Sequence, residues 1–85
     1  MDYEFNPSQW TRIFAVPVSV AENNLKIASG EQLRVLLYIS YNNDRHCKTE
    51  EISQKLGISE ETVEEALIFW KNIGVLSDSK NISMQ

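Results

Sequence analysis

The chain is poor in cysteine and glycine, and each shortage excludes a class of protein. Cys47 is the only cysteine, so no disulfide can form within the chain, and this fits a reducing cytoplasm. The 3 glycines stand apart from one another and do not form the glycine-rich loop that binds phosphate groups. No apolar run approaches the length of a membrane span, and no signal-peptide pattern is present. The 85 residues therefore predict one small cytoplasmic domain.

Basic residues are scarce as well. The sequence has 8 lysines and arginines against 12 aspartates and glutamates, which gives a net charge of -4. A domain that binds DNA by itself usually carries a basic face, because Lys and Arg neutralise the phosphates. The charge therefore predicts DNA binding that is weak or indirect.

Residues with catalytic or metal-binding chemistry are too few to indicate a reactive site. His46 and Cys47 are adjacent, but the chain has no second histidine or cysteine, and structural zinc needs four ligands of such types. No serine lies in the sequence context of a nucleophile elbow. We therefore expect no enzyme activity, no metal and no cofactor.

What the sequence does contain is a helical pattern with clear start and stop signals between Thr49 and Leu76. Thr49 is expected to cap a short helix, since the two glutamates that follow it suit the positive end of the helix dipole. Gly57 is expected to end this helix in the left-handed conformation. Ile58 is then expected to fold back onto Ile52.

A second helix is predicted directly after this turn. Ser59 is expected to cap the helix, and Gly74 is expected to end it. Two helices joined by a short turn containing glycine predict a helix-turn-helix. The buried face follows the i, i+3, i+4, i+7 spacing and consists of Val63, Ala66, Leu67 and Trp70.

A longer helix is predicted earlier in the chain, over residues 30–42. Ser29 and Gln32 have the spacing of a capping box. The helix is apolar on most of its circumference, so it is expected to be buried on more than one side. We assign the core stripe to Leu33, Leu36 and Leu37, and the second side to Val35, Tyr38 and Ile39.

The N-terminal residues 1–12 are expected to form an arm. Tyr3, Phe5 and Trp10 lie on this arm, before the core of the domain. Aromatic side chains in such a position either fold back on their own domain or dock on a neighbour, and the sequence leaves both alternatives open.

A short strand is predicted to follow the arm, over residues 13–18. Phe14 is expected to pack in the core, and Pro17 places the strand at an edge because it has no N–H to donate to a ladder. Ser19 is expected to cap a short helix, after which Leu25 and Ile27 are expected to return to the core.

The C-terminal residues predict a hairpin, with strands over residues 75–77 and 82–84 and a turn over residues 78–81. Such a hairpin is the wing of a winged helix. The predicted fold class is therefore mainly α (α+β), a winged helix-turn-helix with an added N-terminal strand and arm. Residues 13–85 form the winged-helix domain in this interpretation.

These elements together resemble the N-terminal domain of the DnaD family of bacterial replication-initiation and primosome proteins. One similar feature is the Val16-Pro17 pair before a leucine-rich helix, and a second is the LRVLLY block from Leu33 to Tyr38. The third is the Phe69-Trp70 pair before Gly74-Val75-Leu76. The resemblance covers roughly residues 13–76.

The resemblance implies a function in protein association rather than in direct DNA contact. In this family the N-terminal domain mediates self-association, and a separate C-terminal domain supplies much of the DNA contact. The resemblance therefore implies that the chain is the N-terminal part of a longer protein, either chromosomal or from a phage or mobile element. The implied partners are further copies of the chain and other replication proteins.

A transcription regulator that reads duplex DNA is the alternative. The helix between Ser59 and Ile73 would then enter the major groove. This helix carries four glutamates and one lysine, a local charge of -3, so we favour a face that meets solvent or protein. The candidate nucleic-acid contacts are Lys48, Lys55, Lys71 and Lys80.

Self-association is expected to use the arm together with the second side of the long helix. Three aromatic residues come from the arm and three residues from the helix. The candidate residues are Tyr3, Phe5, Trp10, Val35, Tyr38 and Ile39.

Overall fold

A computed structural model describes residues 2–77 of the chain. Within this range it contains three α-helices: α1 (Gly30–Tyr41), α2 (Thr49–Leu56) and α3 (Glu60–Asn72). A 3-10 turn over Pro7–Gln9 and a π-helix over Val20–Asn24 precede them. The described part is a small, mainly α domain, and the predicted bounds of the three long helices are confirmed to within one residue.

The ends of α1 and α3 are fixed by the caps that the sequence predicts. The Gln32 N–H donates to Ser29 Oγ at 3.1 Å, and the Ser29 N–H donates to Gln32 Oε1 at 2.8 Å, which completes the capping box. The Thr62 N–H donates to Ser59 Oγ at 3.1 Å at the start of α3. The expected cap at Thr49 is wrong, because Lys48 is the extended residue before α2 and Thr49 is the first helical residue.

A tight turn joins α2 to α3. Gly57 has φ of 68°, a left-handed conformation that costs glycine little, and its N–H donates to the Ser53 carbonyl at 2.9 Å. Ser53 Oγ donates to the Ile58 carbonyl at 2.6 Å, which fixes the residue that leaves the turn. The turn therefore sets how α3 lies against α2.

The core lies where α1 and α3 meet, with α2 closing one side. Two groups of buried side chains fill it. The first is Val35, Ile52, Val63 and Ala66. The second is Val20, Leu36 and Trp70. Leu33, Leu56, Ile58 and Leu67 pack around these groups and are partly buried.

Trp70 is fully buried, as predicted, and it also forms a specific bond. Its Nε1–H donates to the Gln32 backbone carbonyl at 2.7 Å, from the third helix to the first turn of α1. The indole N–H is therefore satisfied inside the core, which is the usual requirement for a buried tryptophan.

The predicted core stripe of α1 is partly wrong. Leu37 is 47% exposed, whereas Val35, assigned to the second side, is fully buried. The buried stripe runs along Gln32, Val35, Leu36 and Ile39, of which Val35 and Leu36 are buried and the other two are partly buried. It follows the same i, i+3, i+4, i+7 spacing as the predicted stripe. This stripe is difficult to recognise in the sequence because Gln32 is polar. Gln32 nevertheless contributes to the core through its backbone carbonyl, which accepts the hydrogen bond from Trp70.

The predicted N-terminal strand is also wrong. Residues 13–17 form no strand, and no strand is present anywhere in residues 2–77. A strand needs a partner for its backbone groups, and neither residues 46–48 nor residues 75–77 supply one within this range. The Pro17 carbonyl instead accepts a bond from the Val20 N–H at 3.1 Å, so the chain turns there. Leu25 and Ile27 do not return to the core and are exposed.

The predicted wing lies mostly outside the described residues. Its turn over residues 78–81 and its second strand over residues 82–84 fall beyond residue 77. Val75 and Leu76 are partly buried against the Trp70 group, and both of their N–H groups donate to the Trp70 carbonyl. Of the helices described, none has the length and apolar character needed to cross a bilayer.

Candidate self-association surface and nucleic-acid contacts

An apolar surface lies on the outer side of α1, opposite its buried stripe. Leu37 is 47% exposed and Tyr41 is 64% exposed, and they lie one helical turn apart on the same face. The ring of Phe14 meets the ring of Tyr41 edge to face, with 5.8 Å between the centroids. Phe14 is not in the core as predicted, and it remains exposed beside Ile13. We call Ile13, Phe14, Leu37 and Tyr41 the outer patch.

A groove runs beside the outer patch, between the N-terminal segment and the end of α1. It has a volume of about 530 Å³, and we call it the N-terminal groove. Its walls are Arg12, Ile13, Phe14, Tyr41 and Asn43. Aromatic and aliphatic walls with one cationic group favour an aromatic or acidic occupant.

The arm does not lie on its own domain. Tyr3 is 85% exposed and Phe5 is 77% exposed. Phe5 instead packs on Trp10, with 4.6 Å between the ring centroids. The Asn6 side chain accepts a bond from the Ser8 N–H at 3.2 Å and caps the 3-10 turn between these two rings. The arm is therefore locally ordered while its aromatic rings remain open to contact.

The three helical candidates for self-association are turned inward. Val35 is fully buried and has no surface to offer a partner, while Tyr38 and Ile39 are partly buried against the core. The Tyr38 hydroxyl donates to Glu51 Oε2 at 2.6 Å, which ties α1 to α2. Arg45 Nη1 donates to Glu51 Oε1 at 3.0 Å, and its second nitrogen donates to Oε2.

The bonds to Glu51 change the acidity of the groups involved. The hydrogen bonds from Arg45 and then from Tyr38 lower the pKa of Glu51 from its ordinary 4.5 to about 2. The same bond to Glu51 raises the pKa of the Tyr38 hydroxyl. The three residues therefore form a charged network that joins α1, α2 and the loop between them, and sequence spacing gave no signal for it.

The three candidate nucleic-acid contacts that the structure describes lie at three different helix ends. Lys48 and Lys55 are exposed at opposite ends of α2, and Lys71 is exposed in the last turn of α3. Lys80 lies outside the described residues. The exposed side of α3 carries Glu60, Glu61, Glu64, Glu65 and Ile68.

Cys47 and the metal-ligating residue types are the other reactive groups that the structure places. Cys47 borders a second hollow, of about 300 Å³, and burial raises the pKa of its thiol, which makes it a poorer nucleophile at neutral pH. Across residues 2–77, no group of three or more His, Cys, Asp or Glu side chains is placed to hold a metal ion.

The structure thus divides the predicted contact residues into two sets. Tyr3, Phe5 and Trp10 are exposed, whereas the three residues from α1 belong to the core or support it. Leu37, Tyr41 and Phe14 were not predicted as contact residues, and the signal for the first two was the i, i+4 spacing of apolar residues on α1. Comparisons of the chain with protein-family models, curated proteins and solved structures found no match.

Proposed function

We propose that the chain is a protein-interaction and self-association module of a DnaD-like replication-initiation protein, with little affinity for DNA by itself. The observation that carries this proposal is the outer patch. Four large apolar side chains are exposed on neighbouring parts of α1 and the N-terminal segment, and none of them belongs to either group of core residues. Contiguous exposed apolar surface of this kind is typical of a protein interface.

The charge of α3 supports protein rather than DNA as the partner. In the alternative function, a winged-helix regulator, this helix would lie between two phosphate backbones. Its four exposed glutamates would be repelled there, and its last-turn lysine alone cannot neutralise the phosphates. Other replication proteins remain the second class of partner that the family resemblance implies.

The finer fold assignment belongs to the same proposal. Helices α2 and α3 with the turn between them correspond to a helix-turn-helix, and Val75 and Leu76 begin the proposed wing. The partial burial of these two residues against Trp70 supports a return of the chain across α3. We propose a winged helix in which the first strand is replaced by the irregular segment over residues 13–17.

The test is the mass in solution over a concentration series. We expect light scattering to give a mass above that of the monomer at several hundred micromolar, with dissociation on dilution. The double variant Leu37→Ser/Tyr41→Ser removes the centre of the outer patch. It should raise the dissociation constant of the dimer by more than about tenfold. Both side chains are exposed, so circular dichroism should report an unchanged fold.

The matched control is Ile68→Ser, which removes an exposed apolar side chain from α3. It should leave the mass curve unchanged. A wild-type chain that stays monomeric at several hundred micromolar would contradict the proposal, and so would a dimer that Leu37→Ser/Tyr41→Ser does not weaken.

A further inference from the structure

Starting from the proposed self-association, we infer that the arm of one copy binds in the N-terminal groove of a second copy, and that the exchange is reciprocal. The arm offers exposed aromatic rings and two carboxylates, and the groove offers apolar walls and an arginine. The proposed function names only a self-associating surface, whereas this inference names what occupies the groove.

The arm carries alternating acidic and aromatic residues. Its sequence from Asp2 to Phe5 is Asp-Tyr-Glu-Phe, and these residues form no helix. In an extended chain, successive side chains point to opposite sides, so Tyr3 and Phe5 share one side while Asp2 and Glu4 share the other. One side of the arm is therefore aromatic, and the other side is negatively charged.

The groove and the adjoining face of α1 carry the complementary groups. Arg12 forms part of its wall, and Arg34 lies on the same face of α1 as Leu37 and Tyr41, because the three follow i, i+3, i+7 spacing. Among residues 2–77, neither these arginines nor Asp2 and Glu4 form a salt bridge. The two acidic groups on the arm can therefore pair with Arg12 in the groove wall and with Arg34, which lies two helical turns from Tyr41 on the same face of α1. This pairing favours the arm as occupant and fixes its direction.

The arm of the same chain does not fill its own groove. The groove walls include no residue before Arg12, and Tyr3, Glu4 and Phe5 line a separate shallow hollow. The capped turn over Pro7–Gln9 and the Phe5–Trp10 ring contact hold the arm in this direction. An ordered arm loses less conformational entropy when it binds a neighbour than a flexible one would.

The area of the exchange suits a stable dimer. An aromatic side chain buries roughly 150–250 Å², so the exposed parts of Tyr3, Phe5 and Trp10 offer about 400 Å² per arm. Two reciprocal arms and the surfaces that they cover then bury about 1,600 Å², the size of a standard specific interface. Reciprocal exchange also gives the two-fold symmetry of most homodimers.

The experiment reverses the charges on one side of the contact at a time. The arm variant is Asp2→Lys/Glu4→Lys, and the groove variant is Arg12→Glu/Arg34→Glu. All four residues are exposed, so both variants should keep the wild-type circular dichroism and urea midpoint. Each variant alone brings like charges together and should raise the dissociation constant by more than about tenfold in sedimentation equilibrium.

Mixing the two variants in equal amounts is the decisive measurement. In the mixed dimer, the basic arm meets the acidic groove, and the acidic arm of the other copy meets the basic groove. Wild-type affinity should therefore return in the mixture, as a heterodimer. Native mass spectrometry separates this species from the two homodimers.

The outcomes distinguish this inference from the proposed function. A wild-type dimer whose affinity neither charge variant changes would overturn arm exchange and leave self-association through the outer patch intact. Weakened variants that do not recover on mixing would also overturn the arm-to-groove pairing. A wild-type chain that remains monomeric would overturn the proposed function as well.

Discussion

At the scale of single residues, Trp70 joins the first and third helices in two ways. Its ring fills the core beside Leu36 and Val20, and its ring N–H bonds the Gln32 carbonyl at 2.7 Å. The first contribution depends on volume and the second on one hydrogen bond. Two substitutions separate them.

Trp70→Ala should lower the free energy of unfolding by about 3–5 kcal/mol, because it removes a large buried ring and leaves a cavity. Such a loss threatens a small domain whose total stability is about 5–15 kcal/mol. Trp70→Phe keeps a ring but loses the N–H. The lost hydrogen bond contributes about 1 kcal/mol, so this variant should lower the free energy of unfolding by less than Trp70→Ala does. Urea unfolding followed by circular dichroism measures both, and equal effects of the two variants would contradict this division.

Glu51 is the residue whose environment predicts a dependence on pH. Its pKa is about 2 in the fold, against an ordinary 4.5, because Arg45 and Tyr38 both donate to the carboxylate. A carboxyl group with a lowered pKa in the fold adds stability above pH 4.5, and this contribution is lost as the pH falls toward about 2. The urea midpoint of the wild type should therefore fall over this window, and Glu51→Gln should flatten the fall.

The control for this prediction is Glu64→Gln on the outer side of α3. Glu64 is exposed, lies beyond the first turn of α3 and forms no salt bridge within residues 2–77, so this variant should show the same fall in urea midpoint with pH as the wild type. The side chains of Glu51 and Arg45 are both partly exposed to solvent. Added salt should therefore reduce the contribution of Glu51 to the pH dependence of the urea midpoint. Parallel profiles for wild type and Glu51→Gln would show that the network does not contribute.

At the scale of elements, the sequence predicted where helices begin and end better than which face they bury. Ser29, Gly57 and Ser59 act through bonds to residues within a few positions, and such local signals can be read directly. The buried face of α1 could not be read in this way. Leu37 and Val35 are both apolar, and only the position of Trp70 and Ile52 decides which one is covered.

The prediction of an N-terminal strand was wrong for a related reason. Its residues have the apolar, β-branched character of a strand, but a strand exists only when another segment completes its ladder. The outer patch was missed as a consequence, because Phe14 was assigned to a core that it does not enter. The Tyr38–Glu51–Arg45 network likewise depends on how α1 and α2 are placed, which the residues do not encode locally.

Our prediction about DNA binding rests on the charge of helix α3. We expect the isolated domain to bind duplex DNA no more tightly than ~10⁻⁴ M at physiological salt, the weak end of non-specific binding. Replacing the exposed Glu61, Glu64 and Glu65 by Lys should tighten binding more than about tenfold and steepen its salt dependence, because each lysine can neutralise a phosphate. Anisotropy of labelled duplex DNA measures both. Submicromolar binding by the wild type would instead support a regulator.

At the scale of the whole molecule, removal of the arm separates assembly from folding. Deleting residues 1–10 should abolish the proposed dimer, because the deletion removes all three exposed rings of the arm. It should change the free energy of unfolding by less than about 0.5 kcal/mol, because none of the deleted residues described is buried. Sedimentation and urea unfolding give the two quantities. A truncated chain that still forms the dimer would show that the arm does not cross between copies.

Because the two tryptophans lie in contrasting environments, their intrinsic fluorescence can follow both unfolding and assembly. Trp70 is fully buried in the core, and its N–H donates a hydrogen bond to the Gln32 carbonyl. Its emission should therefore lie at short wavelength and resist quenching by iodide. Trp10 is half exposed on the arm, beside the ring of Phe5, so iodide should reach it until the arm docks. Unfolding should therefore shift the wavelength of the first emission, whereas assembly should protect the second. A titration against protein concentration can follow the two processes separately, without any added label.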